Sequence, residues 1–318
     1  MKTSINTISV LLVDAFTSCV GKGNRAGVVL DASFLKSDEM QAIAALVNVS
    51  ETAFMIPTPE SHAFELQVRY FTPTVEVPSC GHATIASHYA RSLDLNIENG
   101  CVVMKTGAGI LPVDIMTEGS KRKIVMTQGQ VVFSPPVDES IRQDIFDALG
   151  LQSGDILHEI PVQEVSTGHS KIMVPITSSE KLDSLQPDMD ALARISVETG
   201  CNGFFVFVLN DSDDDCLTSG RMFAPAAGID EDPVTGNGNG PCGAYLTRYK
   251  QIPGDGIFSY FGRQGVAMGK EGVVEVTVHS HDGIPEKVQV GGTAVHAGQI
   301  LVSLKRDSRG KVSAAKMK

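Results

Sequence analysis

Apolar positions along this chain come in two rhythms. Most fall in short runs of strand length, often with polar residues alternating between them. Thr7 to Val13, Phe64 to Phe71, Gly109 to Ile115, Arg122 to Thr127 and Val273 to Val278 read as strands in this way. Gly27 to Leu30, Val102 to Met104, Ile160 to Val165, Met173 to Ile176, Cys201 to Leu209, Arg221 to Phe223 and Lys287 to Val290 add shorter ones. A few stretches show helical spacing instead. In Ser37 to Asn48, residues Met40, Ile43, Ala44 and Val47 make one apolar stripe, with Ser37 and Asp38 as caps. His82 to Leu93, Met189 to Thr199 and Gly240 to Tyr249 read as further helices. Phe133 to Asp138, with Pro135 and Pro136, reads as a linker.

The order of these elements occurs twice. Arg69-Tyr70-Phe71-Thr72-Pro73 precedes Cys80-Gly81-His82-Ala83-Thr84 and then a helix. Arg221-Met222-Phe223-Ala224-Pro225 precedes Thr235-Gly236-Asn237-Gly238-Asn239 and then a helix. Gly23-Asn24-Arg25-Ala26-Gly27 is echoed by Gly168-His169-Ser170-Lys171. The shared order of several features, about half a chain apart, indicates an internal duplication. We expect an N-terminal domain at 1–128, a C-terminal domain at 129–300, and a segment 301–318 that returns to the first. The length of 318 residues suits two domains. A duplicated pair of this kind places a ligand site in the cleft between its halves.

Composition narrows the function. The net charge of −11 argues against a nucleic-acid partner, which calls for a basic field. The longest apolar runs, Ile8 to Val13 and Phe204 to Leu209, are far short of a bilayer span, so no membrane partner is expected. Lys2 and the short apolar stretch after it are cut off by Asp14, which argues against a secretory signal. The six cysteines are scattered without a C-x-x-C pair, as expected of reduced thiols in a cytoplasm.

Candidate chemistry gathers at the two glycine loops. Each follows extended structure and opens a helix, whose first N–H groups and positive dipole end suit a carboxylate or a developing anion. One such loop is ordinarily a tight turn; two in equivalent places point to a site. His82 and Asp232 stand at these loops, where an imidazole and a carboxylate can pair and orient a substrate. Glu51, in Ser50-Glu51-Thr52-Ala53-Phe54, enters an apolar strand. A carbon-acid proton calls for a carboxylate shielded from water, with its pKa raised toward neutrality. His82 and His88 are six apart on a helix and face different ways, and no other cluster has metal-ligand spacing, so no metal is expected. Gly238-Asn239-Gly240-Pro241-Cys242-Gly243 matches G-x-G-x-x-G, but Ile229-Asp230-Glu231-Asp232-Pro233 before it makes a poor central strand for a dinucleotide site. Cys80, at a helix start, is placed where a thiolate would be stabilised; Cys242 lies too late in its loop to match it, and Thr235 is the closer counterpart.

These residues resemble the PhzF family of phenazine-biosynthesis isomerase-like proteins, along nearly the whole chain. The resemblance rests on Asp14-Ala15-Phe16-Thr17, Gly23 to Val28, Ser50 to Phe54, Arg69 to Pro73, Cys80 to Thr84, Asp232-Pro233-Val234-Thr235-Gly236 and Gln264-Gly265. Cys201 to Phe205 and Gly236 to Pro241 look most like its uncharacterised bacterial isomerase-like members. The resemblance implies a diaminopimelate-epimerase-like α/β (α+β) fold: two pseudo-symmetric domains, each a curved mixed β-sheet around a central helix. It also implies a homodimer, no cofactor and a small-molecule carboxylate substrate. By the same resemblance Glu51 is the general acid/base, His82 and Asp232 join it as catalytic residues, and Gly81, Gly236, Asn237 and Asn24 bind substrate. Asn237 departs from the Ser found there in phenazine producers, so the substrate stays open. In the related racemases a cysteine at the position of Cys80 is one of two catalytic thiols, and this chain has none near Thr235.

The leading expectation is therefore a proton-shifting isomerase using Glu51. A racemase or epimerase of amino or hydroxy acids acting through Cys80 is the alternative enzyme, and a non-catalytic carboxylate-binding protein the alternative class.

Overall fold

The computed structural model describes residues 7–58, 63–119, 121–212, 214–306 and 312–317. Met1–Asn6, with the Lys2 considered for a signal, lie outside the described residues, as do 307–311 and 318 of the C-terminal segment. The chain divides into two compact units, unit 1 of 1–126 with 292–318 and unit 2 of 127–291. Residues 292–300 thus fall in unit 1, where the sequence reading put them in the C-terminal domain. The physical reason is one long strand. β18 (Ala294–Arg306) runs antiparallel to β1 (Thr7–Ala15) over its whole length, from Ala294 opposite Ala15 to Ser303 opposite Thr7.

Unit 1 is a mixed sheet. β1 pairs with β2 (Asn24–Val29), β2 runs parallel to β3 (Glu51–Pro57), and β3 pairs antiparallel with β4 (Leu66–Phe71). β4 ends in a short hairpin with β5 (Glu76–Val77) and runs parallel to β6 (Gly100–Thr106), which continues antiparallel into β7 (Gly109–Glu118) and β8 (Lys121–Thr127). β19 (Val312–Lys316) flanks β18. Helix α2 (Gly81–Asp94) packs on β1, β2, β3, β7 and β18 and is buried along nearly its whole length.

The other face is covered by α1 (Ser37–Val47). Its stripe of Met40, Ile43, Ala44 and Val47 is buried, as the spacing predicts, against Ile8, Val10, Phe54 and Phe71. Met40, Ile43 and Val47 each contribute on the order of 1.5–3 kcal/mol, and Ala44 less. The cap differs from expectation. Lys36 is the N-cap, its N–H donating to Glu39 at 2.9 Å, while Ser37 Oγ accepts from Arg69 at 3.0 Å. Asn48 closes the helix in the left-handed conformation.

Unit 2 repeats the plan. β9 (Val132–Pro136) pairs with β10 (Gln163–Ser166), and β10 with β11 (Ser170–Pro175). β11 runs parallel to β12 (Phe204–Leu209), which pairs antiparallel with β13 (Thr218–Ala224). β13 turns into the short β14 (Ile229–Asp232) and runs parallel to β15 (Gly256–Gln264), followed by β16 (Gly272–His281) and β17 (Ile284–Gly292). Helix α6 (Gly236–Arg248) packs on β10, β11, β12 and β16, and α3 (Glu139–Leu149), α4 (Ser179–Ser184) and α5 (Met189–Thr199) cover the opposite face. The expected linker is β9. In the pairings described, β9 bonds to β10 alone, so its Pro135 and Pro136 lie in an edge strand, where a missing N–H is tolerated.

The duplication extends to register. Phe71 stands opposite Thr52 as Phe223 stands opposite Phe204, and Arg69 opposite Phe54 as Arg221 opposite Val206. One strand further, Gly27 faces Thr52 and Ile172 faces Phe204. Ala26 and Glu51 of unit 1 therefore correspond to Lys171 and Gly203 of unit 2. Each Arg makes a bidentate pair with a carboxylate of its own short hairpin, Arg69 with Glu76 and Arg221 with Glu231, and lies over the following Phe ring at 5.1 and 5.0 Å. The clamp holds the chain just before it enters each central helix.

Candidate active site

Glu51 is the first residue of β3, placed there by the left-handed turn at Asn48 that ends α1. Its neighbours Ala53 and Met55 are buried on the face of β3 that meets α2, and Glu51 shares that face. His82 is in the first turn of α2 and Cys80 is its N-cap. These elements bring three groups together. His82 Nε2 lies 3.2 Å from Glu51 Oε2 and 3.3 Å from Ser50 Oγ, and Cys80 Sγ lies 3.5 Å from His82 Nδ1. Glu51 is 12% and His82 6% exposed, so the pair is shielded from bulk water. Despite its 3.2 Å approach to the imidazole, Glu51 Oε2 accepts no hydrogen bond of good angle. A buried carboxylate oxygen thus keeps a lone pair to spend.

The electrostatics correct one expectation. Burial pushes the Glu51 carboxyl up, but the His82 charge and the polar hydrogens of His82, Ser50 and Cys80 close by outweigh this and hold it below the usual carboxylate range. Burial likewise pushes the His82 imidazole down, and its contacts with Cys80 and Glu51 more than reverse this, holding it well above the usual value. Both shifts favour a carboxylate beside an imidazolium, and Glu51, lowered from 4.5, is an ionised base rather than a neutral acid at neutral pH. Burial raises the Cys80 thiol, with Glu51 adding to the effect against His82 and the Ala83 N–H, so Cys80 is a thiol at neutral pH.

Glu51, Cys80 and His82 also place three ligand-type atoms within 4.8 Å of one another, a cluster that spacing along the helix missed because β3 supplies one member. A metal needs a thiolate and a neutral imidazole. A metal here would have to displace the protons that Cys80 and His82 hold in its absence.

The remaining candidates divide between the units. Asn24 opens β2, is buried, and lies 3.5 Å from Ser50 Oγ through its Oδ1. Gly23 before it has φ +63, and a Cβ there would meet the Ala15 carbonyl at 2.1 Å, so the turn admits only glycine. Gly81 borders open space: a Cβ there meets nothing within 4 Å. Asp14 and Arg25, both in the quoted motifs, form a bidentate pair that locks β1 to β2.

Asp232, Gly236 and Asn237 belong to unit 2. Thr235 is the N-cap of α6, as Cys80 is of α2, and its Oγ1 accepts from the Asn237 N–H at 3.2 Å. Gln264 is buried and ties this loop, donating to the Asp232 carbonyl and accepting from the Thr235 N–H and the Asn239 amide. The helix starts at Gly236 rather than Gly240. Its Gly238, Gly240 and Gly243 lie where a Cβ would strike Phe205, Gln128 and Val276. The glycine pattern that mimics a dinucleotide motif is thus a close-packing device inside a helix.

Comparison with known proteins shows the family and the fold. The family model for phenazine biosynthesis-like proteins matches residues 13–299. An uncharacterised isomerase of Clostridium acetobutylicum is 47% identical over 284 residues, 89% of this chain and 94% of the relative. More distantly, the trans-2,3-dihydro-3-hydroxyanthranilate isomerase of Pseudomonas chlororaphis is 26% identical, over 92% of this chain and 99% of that protein. Among solved structures, a PhzF-family phenazine biosynthesis protein of Bacillus anthracis superposes with a TM-score of 0.84 at 31% identity, covering 94% of this chain and 99% of that one. A hydroxyproline epimerase of Agrobacterium vitis shares the fold, with a TM-score of 0.62 at 14% identity over 98% and 96% of the two chains. Fold and relatives define an isomerase with the mixed α+β architecture of the epimerases. The chain belongs to the PhzF family of phenazine biosynthesis-like proteins.

Proposed function

We propose that this isomerase works without a cofactor and moves a proton on a small carboxylate-bearing substrate, with Glu51 as the general base and then the general acid. The observation that carries the reading is the state of Glu51: buried, ionised, and with an oxygen whose lone pair is not committed, 3.2 Å from the His82 imidazole. A carboxylate in that state accepts a proton from a substrate carbon. Once it is neutral, the His82 imidazolium beside it, which favours the carboxylate form, drives the proton back onto another carbon. His82 stabilises the base form. Asp232, at the end of β14, and Asn237, held in the first turn of α6, orient the substrate, and the open space at Gly81 admits it. A homodimer in the cytoplasm belongs to the same proposal.

The thiol reading has less support. Burial keeps Cys80 protonated, and its counterpart Thr235 is not a thiol. The decisive experiment is mass spectrometry of candidate carboxylates incubated with the protein in D2O. Wild type should incorporate deuterium at carbon, and Glu51→Gln should not while keeping the wild-type circular dichroism. Equal exchange by the Gln variant would falsify the assignment.

A further inference from the structure

Lys171 has no role in the chemistry above and is costly to keep. It is the second residue of β11 and only 3% exposed, in a class of side chain that is rarely buried without a reason. The fold does not demand it, because the corresponding position of unit 1 holds the methyl of Ala26. Its strand alternation puts it on the same face as Met173, the face of β11 that α6 covers, since Ile172 and Val174 point into the opposite core. The facing position, which in unit 1 carries the Glu51 side chain, is Gly203.

The ammonium is under-used. It donates to the Ser170 carbonyl at 3.0 Å, which among the described residues is the acceptor it reaches, so two of its three N–H groups are unspent. Four titratable groups bear on it: Asp232 from the end of β14, Glu164 from β10, Cys201 from the segment before β12, and His169 beside it. α6 covers the face of β11 on which Lys171 lies, so the ammonium and the first-turn N–H groups of α6 are donors on one side of the same sheet. The two units thus carry complementary equipment at matched positions: a carboxylate with an imidazole in unit 1, an ammonium with a carboxylate in unit 2.

We propose that Lys171 is a substrate-binding residue that, together with the start of α6, receives the carboxylate of the substrate in a subsite of unit 2. This deepens the isomerase reading and rests on it. It explains why a charge is held where the scaffold accepts a methyl group. Burial also brings the ammonium down to about 8, against the pull of Cys201, Asp232 and Glu164, so it is charged at neutral pH and titrates just above.

The test uses the full chain and a panel of acetate, pyruvate, benzoate, 2-aminobenzoate and proline, each beside its neutral amide, with binding read by calorimetry. At pH 7 wild type should bind at least one carboxylate about tenfold or more tightly than its amide, the effect of one charge-assisted contact. Lys171→Met should abolish that preference. In wild type the preference should fade as the pH passes from 7 to 10, which needs no variant to fold, and Cys201→Ser should leave the fading intact. Equal preference in Lys171→Met, a preference undiminished at pH 10, or no preference for any carboxylate in wild type would each overturn the proposal. Glu51→Gln separates the two claims. It should still prefer the carboxylate over its amide, the quantity that reads Lys171; if it also exchanges deuterium like wild type, the Glu51 reading fails and the Lys171 subsite stands.

Discussion

His82 Nε2 and Glu51 Oε2 meet at 3.2 Å although they arrive from different elements, His82 in the first turn of α2 and Glu51 at the first position of β3. Their pKa shifts are opposite in sign, and this makes stability depend on pH at both ends. Glu51 is lowered from 4.5, so its contribution is present above that value and is lost as pH falls through the folded-state value. His82 is raised from 6.5, so its contribution is complete below 6.5 and is lost as pH rises through the folded-state value. The melting-temperature gap between wild type and His82→Asn should therefore shrink on the alkaline side, and the gap to Glu51→Gln on the acid side. A gap that is flat from pH 3 to 10 for either variant contradicts the ion pair.

The same pair shapes the reaction's pH profile. Removing the imidazolium leaves burial as the largest influence on Glu51 and raises its pKa. His82→Gln should shift the acid limb of the deuterium-exchange profile upward and lower the rate, by about 10²- to 10⁴-fold if the imidazole also takes part in proton transfer.

Cys80 offers a direct contrast between carboxylate and thiol chemistry. The Cys80→Ser variant should keep exchange activity within about tenfold of wild type. Iodoacetamide at pH 7 should leave Cys80 unmodified in intact-mass and peptide mapping, because the thiol is buried and protonated. Loss of all exchange in the Ser variant would revive the racemase mechanism.

The two arginine clamps should differ in strength. Arg221 and Glu231 are 8% and 13% exposed, and Arg221 also donates to the Leu182 and Leu185 carbonyls. Arg69 and Glu76 are 20% and 43% exposed. Truncating a buried pair costs about 3–5 kcal/mol, whereas an exposed one contributes roughly 0–1 kcal/mol. Arg221→Met should lower the urea midpoint well beyond Arg69→Met, and equal effects would refute the distinction.

Glycines in the two helix starts answer to different constraints. Gly238→Ala places a Cβ 2.5 Å from the Phe205 ring and should cost about 1–3 kcal/mol in thermal or chemical denaturation. Gly81→Ala meets nothing, so it should fold like wild type while slowing exchange, as its methyl enters the space where substrate arrives.

Much of this was legible in the sequence, for identifiable reasons. The α1 stripe, α5 and the duplicated Arg-x-Phe-x-Pro elements depend on local periodicity and residue type, and the structure keeps them to the level of strand register. The grouping of Glu51 with His82 was legible through motif resemblance alone, since no spacing relates β3 to the start of α2. The sign of the Glu51 shift was not legible: it is a contest between burial and three hydrogen-bonding neighbours, decided by distances. β9 was obscured by its prolines, which an edge strand tolerates. Helix α3 was missed although Asp138 precedes it and Gly150 ends it in the left-handed conformation. Lys171 was visible in the echo of Gly23 to Gly27, but its burial and its unspent N–H groups belong to the sheet.

The pairing of β1 with β18 has a bearing on how the chain is made. Every strand of unit 2 is translated before the residues of β18 exist. β1, translated ahead of all of unit 2, must wait with one hydrogen-bonding edge open until β18 has been made. That open edge is a template for stray pairing in the nascent chain, and the acid/base pair rests on the very sheet whose completion comes last.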